Sequence, residues 1–186
     1  MPSTFPLIET DRLRLRSIDQ SDAEQIYQTF SKEEVTRYYG MNVFKTKEEA
    51  EALIHSFKLG YQSNRLIRWG IELKDSGTLI GTCGYHSLSP KYKRAEIGYE
   101  ISRDYWRMGY SIEAIKAILS FGFEKMGLIR VGAVVMIENT PSRSVLQKLG
   151  FKEEGRLRDY IIQDDKPYDV IMHSILKEEW QKSGFQ

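Results

Sequence analysis

The stretch DYWRMGYSIEAIKAIL, Asp104–Leu119, decides how this chain is read. Two bulky aromatics, Tyr105 and Trp106, precede a lone glycine, Gly109, and a helical pattern begins at once. Ile112, Ile115, Ile118, Leu119, Gly122 and Phe123 fall on one stripe of that helix. No Ser, Thr, Asp or Asn stands directly ahead of Gly109 to cap it. A helix start leaves its first backbone N–H groups unpaired and carries partial positive charge. With Gly109 and the small Ser111 allowing close approach, this start suits a phosphate or pyrophosphate. It equally suits a plain helix start with Gly109 in a turn, and the stretch alone leaves both readings open.

The flanking segments give the helix its setting. RAEIGYEIS, Arg94–Ser102, reads as a strand. LIRVGAVVMI, Leu128–Ile137, is too apolar and too short for an exposed helix and reads as a buried strand. Together they make a β-α-β unit, Arg94–Ile137, whose strands should run parallel with a right-handed crossover. Upstream, RLRLRSI, Arg12–Ile18, alternates as a first strand. Ser21 with Glu24, and Thr46 with Glu49, have capping-box spacing ahead of two helices, AEQIYQTF and AEALIHSFKLGY. LIRWGIELK and TLIGTCGYHSL flank DSG as a hairpin. Downstream, PSRSVLQKL is a short helix with Thr140 as expected N-cap, Pro141 at its first position and Gly150 as its stop. FKEEGRLRDYII and PYDVIMHSIL close the chain as a hairpin around QDDK. The order β-α-α-β-β-β-α-β-α-β-β predicts a mixed α/β (α+β) fold. Its sheet is mostly antiparallel and twisted, with a central β-α-β unit and flanking helices.

Composition bounds the function. A length of 186 residues suits one domain, 1–186, large enough to need no disulfide or metal staple. Twenty-seven basic against 26 acidic residues leave a net charge of +1, so no global field favours nucleic acid. One cysteine, Cys83, excludes an intrachain disulfide and fits a reducing compartment. MPSTFPLIET lacks a basic region followed by an apolar run, and the longest strongly apolar run, Val131–Ile137, is too short to span a bilayer. A soluble cytoplasmic protein without membrane partners is expected.

Among chemistry-bearing residues, His55, His86 and His173 lie on three separate elements without metal-type spacing, and no metal site is expected. Cys83 reads as a small buried hydrophobe, with a catalytic thiol as the alternative. No G-x-x-x-x-G-K-[ST] loop and no G-x-S-x-G elbow occurs. Arg12, Arg14 and Arg16 alternate as a basic stripe that suits an anion or a solvated strand face. Asn139, at the end of the second parallel strand, and Ser142, in the next helix's first turn, put polar groups beside the Gly109 turn. Ligands of open α/β units bind at those carboxyl ends. Gly98 in mid-strand is costly unless a bulge or a close backbone approach needs it.

These residues resemble a family. EIGYEIS and YWRMGYSIEAI, then NTPSRSVLQKLGF, resemble the acetyl-CoA-binding core of the GNAT N-acetyltransferases. ETDRLRLRSI, EIGY and GFKEEG are similar to its RimJ/RimL branch, the ribosomal-protein-alanine N-acetyltransferase type. Members of that branch acetylate the N-terminal amine of ribosomal proteins, and relatives act on other amines. The resemblance runs from about Leu7 to Trp180. It implies the GNAT acyl-CoA N-acyltransferase fold, acetyl-CoA as cosubstrate, an amine acceptor and, since family members are often dimers, a possible homodimer. The family's pyrophosphate motif, Q/R-x-x-G-x-G/A, falls on Trp106–Ser111, with Trp and Ser at its two ends. By this resemblance the N–H groups of Arg107, Met108, Gly109, Tyr110, Ser111 and Ile112 hold the CoA pyrophosphate. Pantetheine pairs with backbone near Tyr99–Ile101 between two splayed strands. Asn139 orients that arm, and Arg143 either reaches a CoA phosphate or lies on a solvated helix face.

The reaction requires a neutral amine, a donor for the oxyanion and a fate for the thiolate. A strand N–H can serve the oxyanion, and a carboxylate acting through water can take the amine proton. Glu96 and Glu100 share a strand face, and either can simply face solvent. Glu96 matches the base glutamate of some histone-acetyltransferase members and is the first choice. The family's tyrosine acid, seven residues after the asparagine, is replaced by Leu146, which leaves Ser142 as the nearest hydroxyl. A CoA thiol is acidic enough to leave without a dedicated acid. The acceptor pocket is expected from the first two helices, Met41–Phe44 and the last hairpin. There Asp159, Asp164 and Asp165 either attract a cationic amine or serve as turn residues. Three functions remain open: acetylation of a protein N-terminal amine, acetylation of a small amine, and a non-catalytic acyl-CoA-binding module.

Overall fold

A computed structural model of the chain describes residues 4–184. The expectation drawn from the first ten residues therefore falls partly on Met1–Ser3, outside the described residues. The described strands are β1 (Ile8–Glu9), β2 (Leu13–Arg16), β3 (Ile67–Leu73), β4 (Leu79–Ser89), β5 (Arg94–Ile101), β6 (Arg130–Met136), β7 (Lys152–Gln163) and β8 (Lys166–Leu176). The helices are α1 (Ala23–Phe30), α2 (Glu33–Thr36), α3 (Lys47–Gln62), α4 (Tyr110–Glu124), α5 (Thr140–Lys148) and α6 (Lys177–Lys182). The strands form one sheet in the order β1-β2-β3-β4-β5-β6-β8-β7, antiparallel throughout except for β5 and β6. This is the GNAT fold expected from the resemblance. No helix among the described residues is long and apolar enough to cross a membrane.

Strand alternation sorts the core. Ile67, Trp69 and Ile71 of β3, with Cys83 and Tyr85 of β4 and Ile97 and Ile101 of β5, join one apolar cluster. That cluster includes Ile115, Ile118, Leu119 and Phe123 of α4, Leu146 of α5 and Trp180 of α6. A second cluster joins Ala23, Ile26 and Phe30 of α1 to Phe44 and to Ala50 and Ile54 of α3. The apolar stripe of α4 is buried as read, apart from the half-buried Ile112.

Several local expectations are corrected. Ser21 and Glu24 do not form the first capping box. Asp19 accepts from the Ser21 N–H, and Asp22 accepts from the Asp19 N–H at 3.0 Å, on a 3-10 turn just before α1. The acidic pair wins because it closes reciprocally across three residues. The Thr46–Glu49 box is present. Thr140 is not the cap of α5; Asn139 is, accepting from the Ser142 N–H at 3.2 Å. The first strand shortens to Leu13–Arg16, and β1, α2 and α6 are additions. The last hairpin turns on Asp164 and Asp165, both with positive φ, as a two-residue primed turn requires. The basic stripe is engaged throughout: Arg14 and Arg16 pair with Glu72, Arg16 with Asp22, and Arg12 with Glu113.

Candidate active site

The two parallel strands part company within the sheet. β5 and β6 pair only through Arg94↔Arg130, Ala95↔Val131 and Glu96↔Gly132, yet β5 continues to Ile101 and β6 to Met136. A gap therefore opens between their carboxyl halves. Backbone parity decides what lines it. The Ser102 N–H bonds the Ile80 carbonyl of the β4 side at 2.7 Å. Antiparallel bonding alternates, so Glu100 and Gly98 also direct their backbone groups to β4. Tyr99 and Ile101 direct theirs into the gap. The Ile101 carbonyl is taken by the Trp106 indole N–H at 2.6 Å. The Tyr99 N–H and C=O and the Ile101 N–H remain available.

The loop at the mouth of the gap is built for backbone exposure. Arg107 has φ +63 and Gly109 has φ +83, a left-handed conformation that a side chain would strain. Gly109 caps α4 without a side-chain bond. The N–H groups of residues 107–112 find no acceptor among the described residues. Six consecutive donors at the positive end of a 15-residue helix make an anion seat in chemical terms.

Arg12 fixes this loop from the β1–β2 turn. Its guanidinium donates to the Met108 carbonyl at 3.0 Å and to Glu113 at 2.7 Å, and it lies 4.4 Å over the Tyr110 ring. Thr10 donates to the same carboxylate at 2.6 Å. Burial alone would raise the Glu113 carboxyl, but the bonds from Thr10 and Arg12 hold it below its usual range. The loop thus keeps its shape without spending its own amides.

Across the gap, Asn139 spends its carboxamide oxygen on capping α5. Its NH2 group has no partner among the described residues. The Tyr99 phenol meets the Ser142 hydroxyl at 2.7 Å, tying β5 to the first turn of α5. Burial pushes the Tyr99 phenol up to about 12 against the Ser142 bond, so it stays protonated. Arg143 pairs with Glu153 at 3.2 Å, which engages the guanidinium away from the mouth. Leu146 is fully buried in the core. Cys83 is also fully buried, and burial pushes its thiol up to about 12, so it serves as a small core residue.

The two candidate carboxylates occupy different surroundings. Glu96 stands on the last paired rung, next to the opening, with its side chain over Gly132. It borders a cavity of about 50 Å³ lined also by Ser87, Arg94, Arg130 and Met172, room for at least one water. His86, opposite it on β4, donates its Nδ1–H to the Glu96 carbonyl at 2.9 Å and brings Nε2 within 4.0 Å of the carboxylate. Glu100 lies four residues on, about 13 Å along the strand. Its side chain is 3% exposed and closed into an ion pair with Arg68, with a further bond from Thr82. Burial pushes the Glu100 carboxyl up, opposed by Arg68, Thr82 and Tyr39. The same carboxylate outweighs the burial of Arg68 and keeps the guanidinium above its ordinary range. Arg68 and Tyr39 carried no signal in the sequence, and His86 stood out only as a histidine without metal-type spacing. Arg68 shares a strand face with Gly70 and Glu72 and reads as solvent-facing until the first three helices cover that face.

Comparison with known proteins accords with this geometry. Residues 12–152 match the family model described as an acetyltransferase (GNAT) domain. YoaA of Bacillus subtilis (strain 168), an uncharacterized N-acetyltransferase, is 50% identical over 173 residues, 93% of this chain and 98% of that protein. YdaF of the same organism, a putative ribosomal N-acetyltransferase, is 27% identical over 92% of this chain and 94% of its own length. A putative ribosomal-protein-serine acetyltransferase from Vibrio cholerae is 26% identical and superposes with a TM-score of 0.82, over 92% of this chain and 97% of that one. The fold also matches spermidine N-acetyltransferase from Vibrio cholerae in complex with CoA and spermine, at 21% identity and TM-score 0.80, over 92% and 99% of the two chains. The family model spans most of the chain and the relatives span nearly all of it: the chain belongs to the GNAT family of N-acetyltransferases.

Proposed function

We propose that the chain transfers the acetyl group of acetyl-CoA to the N-terminal α-amine of a protein, by direct attack in a ternary complex. The observation that carries the acyl-CoA reading is the gap between β5 and β6 with the unsatisfied amides of residues 107–112 at its mouth. Those amides suit the pyrophosphate, and the free NH2 of Asn139 and the backbone of Tyr99 and Ile101 suit a pantetheine arm lying in the gap. The Tyr99 N–H is the oxyanion donor in this reading. Glu96, beside the opening and next to a water-sized cavity, takes the amine proton through water. Ser142, bonded to Tyr99, donates a hydrogen bond to the departing thiolate, which takes its proton from solvent. Arg143 is a peripheral CoA contact only if it leaves Glu153. The lone thiol suits a reducing compartment, and a cytoplasmic site of action is part of the proposal.

The acceptor class rests on chemistry. A protein α-amine has a pKa near ~8, against ~10.4 for lysine, so it needs only a mild base. Asp164 and Asp165 have a turn role in their positive φ, and the Asp159 N–H is bonded to Asp169, so these acids give a polycation little specific support. The resemblance to YdaF and to the Vibrio cholerae ribosomal-protein-serine enzyme favours a protein terminus. A mass-spectrometric screen with N-terminal peptides, amino acids and spermine tests this. Acetylated peptides are expected. Product from small amines alone overturns the acceptor class, and CoA binding without any product overturns catalysis.

A further inference from the structure

The Arg68 side chain is 10% exposed, and each arm of its guanidinium has a partner. It lies 5.8 Å from the Phe57 ring and 5.9 Å from the Tyr39 ring, donates Nε–H to Thr82 at 2.6 Å, and pairs with Glu100. Its remaining arm, Nη1, donates to the carbonyl of Gly98 at 2.8 Å. That carbonyl belongs to the same peptide unit as the Tyr99 N–H, and the two point in opposite directions. The carbonyl faces β4, and the N–H faces the gap. Gly98 leaves room for this contact. A Cβ there would stand 3.0 Å from the same nitrogen and would push it back by a few tenths of an ångström, a close approach that suits a glycine in mid-strand.

We propose that Arg68, oriented by Glu100, Thr82 and Tyr39, is a positioning residue that polarises and fixes the Gly98–Tyr99 peptide, making its N–H the oxyanion donor for acyl transfer. A cation on a peptide carbonyl draws electron density toward oxygen and leaves the N–H more positive. Chains of hydrogen bonds strengthen one another this way, most effectively where water is excluded. A donor locked before the reaction also needs no reorganisation as charge develops. The buried pair costs desolvation, and a buried ion pair is weak evidence for stability, so a catalytic return is a sufficient reason to keep it. The proposal gives Glu100 a role distinct from that of Glu96: it holds the cation rather than taking a proton. It rests on the acetyl-CoA reading of the gap.

The test uses an acetyl-CoA analogue in which methylene replaces the thioester sulfur and the carbonyl carbon is ¹³C. Calorimetry reads its binding, and infrared difference spectroscopy reads the carbonyl stretch. The double variant Arg68→Met/Glu100→Leu removes both charges at similar volume, so it retains the fold better than a single change. It should bind the analogue within about twofold of wild type, move the carbonyl band to higher frequency and lower kcat by about tenfold. Gly98→Ala keeps both charges but crowds the guanidinium off the carbonyl, and should move the band the same way by less. If wild type fails to bind the analogue, the acetyl-CoA reading falls. If wild type binds and the band is unmoved in either folded variant, the role of Arg68 falls while that reading stands.

Discussion

The mouth of the gap between β5 and β6 and the side-chain cluster on the β3–β5 side of the sheet are made of different materials. The mouth at residues 106–112 offers backbone amides, shaped by two left-handed residues and clamped by Arg12. The β3–β5 side is made of side chains from three strands and the turn after α2: Arg68, Thr82, Glu96, Glu100 and Tyr39. A seat made of amides tolerates many side chains as long as the backbone keeps its path. A constellation of side chains depends on the identity of each. The first is suited to a cosubstrate shared across a family, the second to chemistry and to the acceptor.

That contrast can be broken in both directions. The largest effect is expected on the side-chain side. Glu96→Gln should lower kcat by roughly 10²- to 10⁴-fold with acetyl-CoA affinity unchanged, as loss of a general base does. An unchanged rate and pH–rate profile would remove Glu96 from the mechanism. On the backbone side, Gly109→Val places a β-branched residue at φ +83, with its Cβ 3.4 Å from Arg12. Strain of this kind is worth ~1–3 kcal/mol, so CoA affinity should fall by roughly ten- to a hundredfold. Calorimetry showing unchanged affinity would mean that the loop conformation does not matter for binding. Ser142→Ala should cost about tenfold in kcat at most, because a CoA thiolate is a good leaving group. A loss as large as that of Glu96→Gln in the same assay would mean that the thiolate requires a dedicated acid.

The smallest effect lies away from the gap. The Arg130 bonds, and then Ser174, hold the Glu154 carboxyl down at about 2. A depressed carboxylate stabilises the fold above its unfolded value of about 4.5, and that contribution is lost as pH falls toward about 2. Glu154→Gln should therefore lower Tm slightly near neutral pH, with the difference closing as pH falls through this window. The Glu154 side chain is 41% exposed, so the effect is small. A difference that persists below this window would assign it to packing instead of charge.

The same contrast explains what could be read before the structure. The β-α-β unit, both hairpins and the Gly109 turn were legible because each is specified locally, by period, glycine and turn residues. β1, α2 and α6 are two, four and six residues long, too short for any period to register. The caps were misassigned where neighbouring residues compete: Asp19 against Ser21, and Asn139 against Thr140. Arg68 stayed hidden for a tertiary reason. In LIRWGIELK it occupies the polar positions of an alternating strand, and only the helices that cover that face make it buried. Glu96 and Glu100 were visible as a pair on one face. Their separate surroundings, an open cavity for one and a sealed ion pair for the other, depend on β4, β6 and the first three helices.

Acyl-CoA binding in the gap depends most directly on the backbone of residues 107–112. A ¹⁵N–¹H correlation spectrum recorded during titration with CoA reads each of those amides separately. Downfield amide-proton shifts are expected at residues 107–112, with further shifts at Tyr99 and Ile101. Binding that leaves those amides unmoved, or no binding at all, would contradict acyl-CoA binding in the gap.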